Sequence, residues 1–213
     1  MADYTFFFHP HSRAQIVRWA LREVGADYEP VLVNWDNRPR DLLKANPLGK
    51  LPTIIHHTRR GDRVVTETAA ICHYLADAER SDLLPRDEEK ADYFRWLFFV
   101  AGPGEAAVTS RRMGWEPDGR QQHRVGFGTY EKVIDTLGQW LTGRDYVCGS
   151  RFTMADVYVG AQIHWALMFK TIPAYTSFTA YAERVSRRDT FRDAATIDLT
   201  LFQNDPERAR QLI

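Results

Sequence analysis

Along the first eighty residues the hydrophobic pattern switches between two periods. Tyr4 to Phe8 is an aromatic and β-branched run that predicts a buried strand, and Pro10 stops it. From Arg13 onward, Ile16, Val17, Ala20, Leu21 and Val24 recur at helical spacing, and Gly25 supplies a left-handed stop. Tyr28 to Val33 predicts a second strand, and Arg40 to Ala45 a short helix. After the turn residues Asn46, Pro47, Leu48 and Gly49, strand character resumes from Leu51 to Ile55 across Pro52. A turn centred on Arg60, Gly61 and Asp62 joins Thr53 to Ile55 with Arg63 to Thr66 as a hairpin. Glu67 to Ala78 then reads as a helix whose apolar stripe is Ala70, Ile71, Tyr74 and Leu75. The expected order is βαβαββα.

Beyond residue 80 the alternating pattern disappears. Residues 80–88 mix charge and proline without a sustained period and read as a linker. Asp87 to Val108, Gln121 to Leu141, Thr153 to Met168 and Tyr175 to Val185 carry helical periodicity, with Gly114, Pro117, Gly119, Gly143, Gly149 and Pro173 as breakers between them. The expected architecture is an α/β domain over residues 1–79 and an all-helical domain over 89–213. The final QNDPERARQLI reads as a polar tail.

Composition narrows the function by exclusion. With 28 basic and 28 acidic residues in 213, the chain has no net field to draw it to nucleic acid or an anionic membrane. A small-molecule ligand is expected. Its two cysteines, Cys72 and Cys148, lack metal-ligand or CxxC spacing, and its seven histidines are scattered, with His56 and His57 facing opposite ways in a hairpin. No metal is expected, and the cysteine usage suits a reducing cytoplasm. No stretch reaches the eighteen apolar residues of a membrane span.

Three short segments carry candidate chemistry. In NPLGKLPTI, Asn46 to Ile54, Pro52 stands just before a β-rich run. A cis Leu51-Pro52 bond would turn the Leu51 backbone outward to pair with an extended peptide-like ligand; the alternative is a plain edge-strand start. In ETAAICHYL, Glu67 and Thr68 stand at a strand-to-helix junction, where open N–H groups, a hydroxyl and a carboxylate together suit an α-amino-acid head. An ordinary N-cap is the competing reading. In FTMAD, Thr153 and Asp156 match a capping box, with Asp in place of the usual Glu, and the role assigned is structural.

In this order and at these separations, HPHSRAQIVRWAL, NPLGKLPTI, ETAAICHYL and GSRFTMADVYVGAQIHW resemble the cytosolic glutathione transferase family, in a serine-type, bacterial-like form. The resemblance runs to about Arg192. It implies a thioredoxin-like first domain, an all-helical second one, glutathione as co-substrate and a homodimer. It assigns Glu67 and Thr68 to the γ-glutamyl group, the Leu51 backbone and cis Pro52 to the cysteinyl part, and Lys50, with Asn37 and Arg38, to the glycine carboxylate. The implied activity is attack of the glutathione thiolate on an electrophilic, largely apolar substrate. Glutathione-dependent isomerisation or dehalogenation, and a binding or scaffold protein without turnover, are the alternatives.

A free thiol has a pKa near 8.5, so the site must favour the thiolate. Lowering that pKa by two units takes about 2.7 kcal/mol. A charged hydrogen bond of about 1.5 to 3 kcal/mol, with a helix N-terminus behind it, suffices. Ser12, at the start of the first helix, is the expected donor; His9 and Tyr4 are its rivals, and a simple helix cap is the other role open to it. Trp96, Phe99, Val100 and Pro103, on a helix that the proline should kink, are expected to line the acceptor pocket, with Arg111 and Trp115 on its far side.

Overall fold

The computed structural model describes residues 2–203. Beyond Gln203 the polar tail lies outside the described residues. The chain forms two compact units, one running to Ser81 and resuming at Arg187, the other from Asp82 to Ser186.

In the first unit, β1 (Tyr4–Phe8), β2 (Tyr28–Leu32), β3 (Thr53–Thr58) and β4 (Gly61–Thr66) form one sheet in the order β2-β1-β3-β4. β1 and β2 are parallel, and the other two pairings are antiparallel. With α1 (Ala14–Val24), α2 (Arg40–Ala45) and α3 (Thr68–Ala78), they make the βαβαββα order of a thioredoxin-like fold. Gly25 ends α1 at φ 67°, a conformation glycine adopts without a Cβ clash. Some boundaries move from the sequence reading. β3 starts at Thr53 and runs on to Thr58, so the hairpin turn is tighter and Gly61 and Asp62 belong to β4. α3 begins one residue late, at Thr68, because Glu67 is not helical.

Sequence periodicity missed one helix, α9 (Asp189–Gln203). It packs on α1, and the paired residues show that the two run antiparallel. Glu23 Oε1 and Oε2 accept from Arg188 at 2.6 and 2.7 Å, the Trp19 and Phe191 rings meet edge to face at 5.0 Å, and Arg18 Nε reaches Asp198 at 2.9 Å. The buried face of α9 is therefore written in Ala194 and Asp198. One of its two fully buried positions is an aspartate where a core-facing helix normally carries an apolar residue, which weakens the sequence signal. It also places the last helix among the described residues with the first unit, where the sequence reading had the helical domain continue.

In the second unit the helices are α4 (Lys90–Phe99), α5 (Glu105–Arg112), α6 (Tyr130–Leu141), α7 (Met154–Met168) and α8 (Thr176–Ser186). The single helix expected from Asp87 to Val108 is broken into a 3-10 turn, α4, a π-helical turn over Val100–Gly104 and α5. Pro103 sits inside the π turn, where its missing N–H is absorbed by the wider ladder. The helix expected from Gln121 starts only at Tyr130, where the Thr129 hydroxyl accepts from the Lys132 N–H at 3.2 Å. α7 is buried on every side from Met154 to Ala161 and opens with the Thr153–Asp156 capping box.

Candidate active site

Register, more than sequence proximity, assembles the candidate residues. Phe7 pairs with Thr53, and Thr53 with Thr66, while Phe8 pairs with Leu32. The end of β1, the start of β3 and the ends of β2 and β4 therefore lie along one edge of the sheet. The segments leaving that edge carry Ser12, Asn37 and Arg38, Lys50 to Pro52, and Glu67 with Thr68. Tyr4 is the exception. It pairs with His56 at the other end of β1, its hydroxyl donates to Glu79 at 2.5 Å, and burial beside that carboxylate pushes its ionisation far up. That position takes it away from the loop of Ser12, so it is no rival for the sulfur.

Ser12 is buried in the tight loop between β1 and α1. Its Oγ donates to the His9 carbonyl at 2.8 Å and accepts from the Ala14 N–H at 3.2 Å. His9 is buried as well, and its Nδ1 accepts the His11 N–H at 3.2 Å, so the neutral ring carries its proton on Nε2. The residue formally capping α1 is Arg13, with no side-chain cap bond among the described residues. Ser12 thus has a cap-like acceptor role toward Ala14 together with a proton that can be redirected.

The segment before β3 is held by Asn46, which the sequence reading took as turn chemistry alone. Its buried amide donates to the Lys50 carbonyl and to Thr53 Oγ1, both at 3.1 Å, and its Oδ1 accepts from the Leu48 N–H at 3.2 Å. Thr53 Oγ1 donates in turn to the Lys50 carbonyl at 3.0 Å. Gly49 stands at φ 60°, and a Cβ there would meet the Arg38 side chain at 3.0 Å, so Arg38 lies across this loop. The Leu51-Pro52 peptide is cis. Lys50, Asn37 and Arg38 are all exposed.

At the third segment Glu67 adopts φ 65° and ψ 115°, on the positive-φ side that non-glycine residues avoid. Its carboxylate is exposed, whereas Thr68 is buried as the first residue of α3. No side chain caps this helix among the described residues.

The expected acceptor residues belong to the second unit. Trp96 is a core residue, packed on Phe99 and Trp140 with ring centroids 5.0 Å away in each case. Phe99, Val100 and Pro103 follow it into the π turn, half-buried or buried. Arg111 is committed elsewhere: it pairs with Glu116 at 2.6 Å and with Glu131, and lies 3.9 Å from the Tyr130 ring centroid. Trp115 is 70% exposed. A cavity of about 60 Å³ beside Tyr130 is lined by Ser110, Glu116, Phe127 and Glu131. Among the described residues no group of three His, Cys, Asp or Glu is arranged to hold a metal, and no helix is long and apolar enough to cross a membrane.

A thioredoxin-like unit with an open ligand edge, followed by a helical unit, defines the class of protein. Residues 2–77 match the N-terminal domain of glutathione S-transferases, and residues 103–189 match their C-terminal domain. Glutathione S-transferase 1 of Schizosaccharomyces pombe is 32% identical over 196 residues, 86% of this chain and 83% of that protein. Glutathione S-transferase GstA of Escherichia coli O157:H7 is 25% identical over 90% of this chain and 97% of its own. A sphingomonad glutathione S-transferase solved in complex with glutathione has a TM-score of 0.71 at 26% identity, covering 91% of this chain and 98% of its own. The chain belongs to the glutathione S-transferase family, and it is a glutathione-dependent enzyme of that fold.

Proposed function

We propose that the enzyme binds glutathione along the edge of the first unit and activates it as a thiolate for attack on an electrophilic, largely apolar acceptor. The carrying observation is the register that gathers Ser12, Leu51, Pro52, Glu67 and Thr68 at one edge. Glu67 and Thr68 would hold the γ-glutamyl head, the Leu51 backbone beside cis Pro52 the cysteinyl part, and Lys50 with Asn37 and Arg38 the glycine carboxylate. Phe99, Val100 and Pro103 are the acceptor-pocket residues this reading retains from the helical unit; Trp96 supports them from the core.

Ser12 is the proposed thiolate donor, and its geometry sets the size of the effect. Its proton is already used on the His9 carbonyl. Redirecting it to a thiolate exchanges a neutral hydrogen bond, worth about 0.5 to 1.5 kcal/mol, for a charged one, worth about 1.5 to 3. The net gain of roughly 1 to 1.5 kcal/mol corresponds to about one pKa unit. Ultraviolet titration of the bound thiol tests this. Ser12→Ala is expected to raise its pKa by about one unit with little change in glutathione affinity; an unchanged pKa would leave Ser12 as a cap alone and make His9, through Nε2–H, the donor.

The proposal extends to a cytoplasmic homodimer. On α4, Phe94 and Phe98 stack at 6.4 Å and are 37% and 65% exposed, an aromatic pair suited to burial against a second copy. Light scattering of wild type and Phe98→Glu checks it, with the variant expected to dissociate.

A further inference from the structure

The second unit carries a cluster of cationic and aromatic side chains centred on Trp140 of α6. That indole is half-buried, and its N–H donates to the Val147 carbonyl at 3.0 Å. Two guanidiniums lie against its ring. The guanidinium carbon of Arg144, in the loop after α6, is 3.7 Å from the ring centroid, and that of Arg95, on α4, is 5.3 Å from it. Arg95 also lies 4.9 Å from the ring of Trp96, whose centroid is 5.0 Å from that of Trp140.

No carboxylate answers this charge. Among the described residues neither Arg95 nor Arg144 makes an ion pair or a side-chain hydrogen bond, and both rest on ring faces instead. Asp145, next to Arg144 in sequence, is taken by Arg184, which lies 3.4 Å from its carboxylate and donates to its carbonyl at 3.0 Å. In the same cluster the buried Trp96 Nε1–H meets no acceptor among the described residues. The two guanidinium carbons can be no farther apart than their distances to the Trp140 centroid combined. That span is within a Debye length of about 10 Å at 0.1 M salt, so the two charges act together on one place. Indole faces attract each cation but leave its N–H fork without an acceptor.

We propose that Arg144 and Arg95 form a binding site for a phosphate group, free or as a small monoester, built from residues the glutathione reading does not use. Arg144 lines an open recess of about 490 Å³ together with Thr142, Gly143, Asp145, Gly149 and Ser150, which sets two hydroxyls beside the guanidinium and one carboxylate that Arg184 already neutralises. The choice of phosphate follows from the forks. A carboxylate offers a single pair of oxygens and satisfies one guanidinium, whereas a phosphate offers oxygens on several edges and can serve two that arrive from separate segments.

Calorimetric titration of the full-length protein with inorganic phosphate and, separately, with glycerol 3-phosphate tests it, at an ionic strength fixed with chloride. Excess glutathione is kept present, so that an anion competing for the proposed glutathione edge gives no heat. Wild type is expected to bind at least one of the two saturably, and the tighter one tells a free anion from a monoester. Arg144→Gln and, independently, Arg95→Gln are each expected to weaken that binding about tenfold, the loss of one charged fork. Arg59→Gln, in the turn between β3 and β4, removes the same charge and is expected to leave the binding unchanged. Absence of saturable binding, binding that survives substitution of both Arg144 and Arg95, or an equal loss in Arg59→Gln overturns the site.

Discussion

Two helix starts in this protein use the same chemical vocabulary, a threonine and an acidic residue, to opposite ends. At α7, Asp156 is wholly buried and accepts from the Val147 N–H at 2.7 Å, the Thr153 N–H at 2.8 Å, the Thr153 hydroxyl at 2.9 Å and the Tyr181 hydroxyl at 2.8 Å. At α3, Glu67 is exposed at φ 65° and no side chain caps the helix among the described residues. The first junction is closed upon itself, and its polar groups are spent on stability. The second combines an N-terminus that no side chain caps among the described residues with an unfavourable backbone, which suits the ligand role proposed for it. The difference teaches that a capping signature in sequence marks a helix start, while whether the start is structural or functional depends on what already occupies it.

The largest effect is expected where the junction is closed. Asp156→Ala removes an acceptor shared by four donors and strands them in the core, for a loss of about 3 to 5 kcal/mol measured by urea unfolding. A loss below 1 kcal/mol would mean that the junction is not closed in the way described. Second, burial outweighs those donors and pushes the Asp156 carboxyl up to about 6 from 3.8. A carboxyl whose folded pKa is raised contributes stability present below its unfolded value and lost as pH rises through the folded one. Relative to Asp156→Asn, which does not titrate, wild type is therefore expected to lose about 3 kcal/mol between pH 3.5 and pH 7. Parallel stability curves for the two proteins would contradict it.

At the open junction the readout changes from stability to affinity. Thr68→Val is expected to weaken glutathione binding by about 1 to 3 kcal/mol, by leaving a ligand carboxylate oxygen without its donor, while unfolding is little altered. Unchanged affinity removes Thr68 from the site. The contrast between the junctions would then collapse, since both would be structural.

The two junctions also differ in how far the sequence exposes them. Thr153 and Asp156 are legible because a capping box is local: three residues of spacing contain the whole structure. The succession of strands and helices along the first unit, including the short helix at Arg40–Ala45, is legible for the same reason, each element resting on a pattern within one segment. What escapes is whatever depends on partners far along the chain. The commitment of Tyr4 to Glu79 and the turning of Arg111 onto Glu131 each need a distant side chain to be in place. α9 is the extreme case, because its buried Asp198 makes sense only opposite Arg18, 180 residues earlier. Glu67 was legible as a residue type and illegible as a conformation, since nothing in a glutamate predicts a positive φ.

That conformation gives the smallest and most discriminating test of the contrast. If Glu67 is held at φ 65° for the sake of a ligand, two costs are combined in one residue and substitution can separate them. Glu67→Ala removes the carboxylate and keeps a Cβ in the disfavoured region. Glu67→Gly removes the carboxylate and the clash together. Left-handed backbone costs a Cβ-bearing residue about 1 to 2 kcal/mol, part of which glycine gives back through its larger unfolded-state entropy. The glycine variant is therefore expected to be more stable than the alanine variant by about 1 kcal/mol in urea unfolding. Glutathione affinity should fall equally in both, because the lost carboxylate is the same. Equal stabilities would show that the surrounding fold does not strain this residue. Equal loss of affinity, with the glycine variant the more stable, would show that residue 67 combines backbone strain with a carboxylate used in binding, in contrast to the closed junction at Asp156, where the same polar chemistry serves the fold.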